Sequence, residues 1–406
     1  MEDIIRLSRD LLRVHNRDYL RYFLEKSKFQ SRLSIVLGQR GVGKTTAMVQ
    51  YLLQQGGSNP DDDFILYVQA DHILIQDRSL YAIAEEFESH GGRVICFDEI
   101  HKFSDWSREL KSIHDTFPGL KVIASGSSAM EIHKGSHDLS RRAVVHTMWG
   151  LSFREFLELS LGCDLPAFSL EEILADHVAA ARKIVSLLGE ARVLAWFGKY
   201  LSHGYFPFFF ETEDEILFLK VLEQTVHSTV ESDLLAVHPR LTGVSARKII
   251  KLLRIIGASV PFVPDLTNLG RLVDVADQRT LKTYLKYLED GGLLVGLSAS
   301  GRGLAELEKP GKMFLSSPNM LRAVAAEVNP GTARETFFMS MLRPGHTLRA
   351  PARGDFLVDD RYLFEVGGKG KGFGQIKDHP DGYLALDGME IGFGRKVPLW
   401  LFGFLY

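Results

Sequence analysis

The sequence predicts a multidomain α/β chain, and three observations carry that prediction. An apolar run at 33–37 leads directly into a glycine-rich loop and then a helical stretch. Further apolar runs alternate with helical patterns to about residue 126, the mark of a parallel sheet. A strand–turn–strand pattern flanked by acids returns near the end, at 354–366. With 406 residues, the chain has room for roughly two to four domains.

Composition bounds the function classes. Apolar residues make up 45% and charged residues 24%, so there is material for more than one core. Lys plus Arg (48) nearly balances Asp plus Glu (51), which excludes gripping nucleic acid by bulk charge and leaves room for a local basic face. Two cysteines, Cys96 and Cys163, cannot make a disulfide framework or a four-cysteine zinc site. The start lacks a basic region followed by an apolar core, and no apolar run reaches the ~18 residues of a membrane helix. A reduced, cytoplasmic chain without a membrane partner is the expectation. The apolar end, 397–406, reads as a buried strand.

The first element is the strand at 33–37. Gly38-Gln39-Arg40-Gly41-Val42-Gly43-Lys44-Thr45 follows, then a helix over 46–55 closed by Gly56-Gly57. This is a P-loop pattern. Small residues let backbone N–H groups wrap phosphates, and the helix start adds a positive dipole end. Gly38, Gly41, Val42, Gly43, Lys44, Thr45 and Thr46 form the candidate phosphate site. Lys44 reaches the β- and γ-phosphates, and the Thr45 hydroxyl suits Mg²⁺.

The next strands run over 63–69 and 93–99, with helices at 79–89 and 106–117. In Arg93-Val94-Ile95-Cys96-Phe97-Asp98-Glu99, four apolar residues end in two acids, as a buried parallel strand opening on a site would. Asp98 suits Mg²⁺, and Glu99 suits the general base that polarises an attacking water. Cys96 then belongs to the core. The strand at 120–124 ends at Ser125-Gly126-Ser127-Ser128. Ser125 and Ser127 are each either a sensor of the γ-phosphate or part of a plain serine turn.

Leu139-Ser140-Arg141-Arg142 and Leu151-Ser152-Phe153-Arg154-Glu155-Phe156 come next. The phosphate loop, the Phe97-Asp98-Glu99-Ile100-His101-Lys102 run, the 126–128 turn and the 151–156 signature stand in one order. In that order they resemble the prokaryotic AAA-type ATPases that carry a C-terminal domain of unknown function. The resemblance covers nearly the whole chain. It implies ATP and Mg²⁺ as cofactors, hydrolysis of the nucleotide, and a homo-oligomer with sites between subunits. It also places an arginine finger at Arg141 or Arg142, where the alternative is a salt-bridged surface arginine.

Residues 153–235 read as mainly helical. The aromatic stretch 204–210, broken by Pro207, reads as a packed turn, with a partner surface as the alternative. Over 246–300 come three helices, with Asp277 as an N-cap of the third, and a strand at 293–297. This resembles a winged helix, as the family also has. Arg279, Lys282 and Lys286 share one face of the third helix, which suits either duplex DNA or plain solvation.

At the end, a helix begins near Thr332, and 354–358 and 362–366 make a hairpin. Glu335, Asp355 and Glu365 resemble the acids of restriction-endonuclease-like folds, to which the family's C-terminal region is similar. That resemblance implies a lysine two residues after the strand glutamate, but position 367 is glycine. Lys369 is the nearest substitute, and a degenerate domain that keeps only the fold is the favoured reading. The predicted architecture is a parallel-sheet ATPase core over 1–150, a helical lid over 151–240, a winged-helix-like region over 241–300 and a nuclease-like α/β domain over 301–406. A nucleotide-gated binding module with negligible turnover is the competing functional class.

Overall fold

The computed structural model describes residues 1–75, 78–103, 105–126, 139–234, 241–258, 265–299, 310–325 and 327–406. They form two compact units, Met1–Trp149 and Gly150–Tyr406.

The first unit is built on five strands: β1 (Leu33–Leu37), β2 (Ile65–Gln69), β3 (Val94–Asp98), β4 (Lys121–Gly126) and β5 (Ala143–Thr147). Their order is β2-β3-β4-β1-β5 and every pairing is parallel. β1 and β3 are buried at every position, which explains their unbroken apolar runs. Parallel pairing brings all carboxyl ends to one edge, so Leu37 pairs with Gly126 on β4, and β3 ends one strand further along. The helix expected over 46–55 begins earlier and spans Lys44–Gln55. Gly43, at φ +96°, turns the chain into that helix in a conformation few other residues adopt. Lys44 and Thr45 therefore sit in the first helical turn. Ser79 caps the helix Leu80–Ser89 by accepting from the Ala82 N–H.

The second unit opens with the helix Phe153–Leu161. Ser152 and Glu155 of the 151–156 signature form its capping box. Ser152 Oγ and Arg154 Nε also donate to the Tyr406 carbonyl oxygen at 2.8 and 3.0 Å, and Phe153 packs edge-on against Phe404. The signature thus ties the end of the chain to the start of this unit. Helices Leu170–Leu188, Val193–Lys199 and Glu215–Ser228 follow. The aromatic stretch is a packed turn: Phe208 and Phe209 lie against Phe218, and His203 stacks on Phe209 at 3.7 Å.

Three helices come next, Gly243–Ala258, Leu266–Leu272 and Gln278–Asp290, the last capped by Asp277. The antiparallel pair β6 (Leu294–Ser298) and β7 (Pro310–Leu315) closes this region. β7 lies beyond residue 300, so the hairpin straddles the domain boundary expected there. The helix Pro330–Leu342 then packs against a five-stranded sheet ordered β12-β11-β10-β9-β8. Its strands are β8 (Leu348–Arg349), β9 (Phe356–Val358), β10 (Tyr362–Gly368), β11 (Gly382–Asp387) and β12 (Lys396–Pro398). β8, β9 and β10 pair antiparallel, whereas β10, β11 and β12 pair parallel.

The chain end departs from expectation. The strand stops at Pro398, which has no N–H to continue a ladder, and Leu399–Phe404 coils into buried 3₁₀ turns instead. Burial alone made that segment apolar, and a run this short does not report its own backbone geometry.

Candidate functional site

In the first unit, the loop and the acidic strand end meet. Thr45 Oγ1 donates to Asp98 Oδ2 at 2.6 Å, joining the start of the helix Lys44–Gln55 to the tip of β3. The ammonium of Lys44 lies over the loop, donating to the Gly38 and Gln39 carbonyls at 3.0 and 3.1 Å. The site leaves no room for bulk at Gly38, where a Cβ would lie 2.4 Å from the Met148 carbonyl oxygen. Val42 is fully buried and anchors the loop, and Gly41, Gly43 and Thr46 are partly exposed along it.

Asp98 is buried and held on every side. Oδ2 also accepts from the Tyr67 hydroxyl, and Oδ1 accepts from Ser125 Oγ and from the Glu99 N–H. Ser125 accepts from that same N–H at 3.2 Å. Its hydroxyl is spent on the acid pair, so the structure gives it a supporting place rather than the phosphate-facing one. Ser127 lies outside the described residues. Glu99 sits at φ +55°, in the left-handed region, where the chain leaves β3 for the 3₁₀ turn Ile100–Lys102. His101 Nε2 lies 3.4 Å from Glu99 Oε2. Cys96 is a core residue, and burial together with the Asp98 carboxylate pushes its thiol pKa well up.

The two arginines differ. Arg142 makes a two-point bond to Asp115, Nε to Oδ1 at 2.7 Å and Nη2 to Oδ2 at 2.8 Å. Arg142 and His114 together hold the Asp115 carboxyl below the ordinary range. Arg141 is exposed.

In the second unit, Glu335, Asp355 and Glu365 come near one another, but with lysines among them. Lys312 Nζ, from β7, lies 3.3 Å from Asp355 Oδ1 and 3.8 Å from Glu335 Oε2. Asp355 Oδ2 accepts from the Val366 N–H at 2.8 Å. Lys371 Nζ lies 3.0 Å from Glu365 Oε1. The lysine suggested by the sequence, Lys369, is not in this cluster, because its stem lies against Gly388. Lys371 takes the place instead: its stem folds back over Gly367, where a Cβ would meet it at 2.9 Å. Burial and the nearby Asp355 carboxylate push the Glu335 pKa up to about 7, which the two lysines oppose. Among the described residues, no group of three or more His, Cys, Asp or Glu is placed to hold a metal ion.

Sequence reasoning missed three residues here. Tyr67 and Lys312 contact acids 31 and 43 residues away, which no local spacing reports. Arg21 is buried and braces the pocket from behind, donating to the Val42 carbonyl at 2.8 Å and the Trp149 carbonyl at 3.1 Å.

A parallel sheet ordered β2-β3-β4-β1-β5, with a glycine loop after β1 and an acid pair at the tip of β3, defines a P-loop ATPase fold. Residues 30–157 match the AAA domain family model, and this part of the chain is an AAA-type P-loop ATPase domain of prokaryotic kind. An uncharacterized protein of Methanocaldococcus jannaschii is 26% identical over 218 residues, 51% of this chain. The match spans 45% of that relative's length. Among solved structures, the Walker-type ATPase PABY2304 of Pyrococcus abyssi is 12% identical, covering 75% of this chain and 93% of its own, at a TM-score of 0.39. PCH-2 of C. elegans is 12% identical, covering 70% of this chain and 68% of its own, at a TM-score of 0.25. No helix among the described residues is long and apolar enough to cross a membrane.

Proposed function

We propose that this chain binds and hydrolyses Mg-ATP in the first unit and uses nucleotide state to switch the arrangement of its later regions. One observation carries the reading: the 2.6 Å bond from Thr45 to Asp98, which joins a phosphate loop to an acidic strand end. The donor set fits a hard cation, since Thr45 and Asp98 offer oxygen only. Bound there, Mg²⁺ would neutralise phosphate charge. Lys44 leaves its two carbonyls for the phosphates, and the loop N–H groups cradle them. Glu99 holds the proton taken from the attacking water. Arg141 is the finger candidate, reaching the pocket of a second copy in a homo-oligomer, because Arg142 is committed to Asp115.

The test is a pair of variants in calorimetry and phosphate release. Lys44→Ala should lose ATP binding. Glu99→Gln should keep binding and lose turnover by a factor of about 100 or more. Equal behaviour of the two variants sinks the assignment. A second reading, a nucleotide-gated module without turnover, is favoured by the Glu99–His101 contact, which holds the base aside. Steady-state phosphate release from the unmodified chain separates the two.

The second unit's acids are read as a non-cleaving remnant, because ammonium groups already lie against all three. Nicking of plasmid DNA or of RNA with Mg²⁺ or Mn²⁺ would overturn that. DNA contact, if the winged-helix-like region makes it, falls to Arg279 and Lys282, which are exposed, while Lys286 pairs with Asp290 at 2.7 Å. Salt-sensitive duplex binding that survives Arg279→Glu with Lys282→Glu removes this helix as the reader.

A further inference from the structure

We propose that Tyr67 is a positioning residue for the cation half of the nucleotide pocket: its phenol fixes Asp98 in the orientation that aims Thr45 at Mg²⁺. The inference rests on the Mg-ATP reading above and adds a residue to it.

Tyr67 lies on β2, beside β3, with Cys96 as its register partner. Its backbone N–H is pinned by Ser8 Oγ at 2.9 Å, from the helix Glu2–His15. Only 3% of the residue is exposed. Its hydroxyl donates to Asp98 Oδ2 at 2.5 Å, the same oxygen that takes the Thr45 proton. The other oxygen takes Ser125 Oγ and the Glu99 N–H. A carboxylate has about four acceptor directions, two on each oxygen, so four donors fill Asp98.

Two consequences follow from that count. Asp98 has no free direction for a direct bond to a cation. Thr45 has spent its only proton on Asp98, so its oxygen lone pairs are what it can offer to a metal. Direct ligation therefore falls to Thr45, and Asp98 acts through the Thr45 hydroxyl. Without the phenol proton, Oδ2 would open to water, the carboxylate could rotate, and the Thr45 hydroxyl would lose its fixed direction. Partners that orient metal-binding groups typically matter by about 10–100-fold in metal affinity.

The experiment is Tyr67→Phe in the full chain, with ATP binding measured by calorimetry in EDTA and again in saturating Mg²⁺. A core residue with a merely satisfied hydroxyl would change both measurements alike, or neither. The expected result is unchanged affinity in EDTA and a Mg²⁺-dependent gain reduced about ten-fold relative to the unmodified chain. An unmodified chain with a Mg²⁺-dependent gain that Tyr67→Phe fully retains overturns the role of Tyr67 and leaves the pocket intact. An unmodified chain that binds no ATP overturns the pocket reading, and Tyr67 falls with it. Tyr67→Met fills the space without a donor and supplies the same comparison if the phenylalanine variant does not fold.

Discussion

The two units each gather buried carboxylates and lysine near a sheet, yet they balance the charge differently. At the tip of β3, Asp98 is held by neutral donors: Thr45, Tyr67, Ser125 and a backbone N–H. The nearby Lys44 ammonium donates to the Gly38 and Gln39 carbonyls of the loop. Oxygen ligands at Thr45 and Asp98, with an ammonium over the loop, suit an incoming metal and an incoming phosphate. Around β10, Lys312 lies against Asp355 and Glu335, and Lys371 lies against Glu365. This cluster carries its own cations. Acids near a sheet therefore say little about ligand binding until the source of the compensating charge is known.

Three experiments bear on that contrast, beyond those on Lys44, Glu99 and Tyr67. The largest effect belongs to Lys312→Met, which strands two largely buried acids. It should destabilise the second unit by about 3–5 kcal/mol, read from hydrogen exchange along β9 and β10, while ATP binding stays unchanged. A loss of under ~1 kcal/mol would mean that the ammonium is only a surface partner.

The next effect is in pH. Burial raises the Glu335 carboxyl from its ordinary 4.5 in the unfolded chain to about 7 in the folded one. The folded state then binds the proton more tightly, so this stabilisation is full below about pH 4.5 and is lost as pH rises through about 7. The total is on the order of 3 kcal/mol. Glu335→Gln should flatten this slope, gaining stability over the unmodified chain at pH 8 and matching it near pH 4.5. Parallel slopes for the two proteins in urea melts would remove Glu335 as the group responsible.

The smallest expected effect is none. Mg²⁺ or Mn²⁺ without nucleotide should leave exchange along β9 and β10 within ~0.5 kcal/mol of the metal-free value, because lysine ammonium groups already lie against all three acids. A larger shift would place the cluster on the same footing as the nucleotide pocket.

Much of the first unit was legible because its signals are contiguous. The apolar strand, the glycines, Lys44 and Thr45 fall within thirteen consecutive residues, and Asp98 with Glu99 closes the run of β3. The sequence marks Ser125 without marking its direction, since a hydroxyl at a strand end points to a phosphate or to a carboxylate with equal local logic. Counting along the chain favours Lys369 over Lys371, since it lies nearer Glu365 in sequence. The bare backbone of Gly367 brings Lys371 to Glu365 instead, because it lets the Lys371 stem lie across it.

Local chemistry along the chain thus settles the strands of the first sheet, where the loop bends and which helices are capped, but not the backbone of a short apolar run such as 399–404. What meets what across the sheets is another matter. Tyr67 reaches Asp98 only because β2 is laid beside β3, and Lys312 reaches Asp355 only because β7 runs close to the start of β9. Those approaches set which carboxylate is held by neutral donors and which by an ammonium, and electrostatics in a buried site depends on distance in space rather than on separation in sequence.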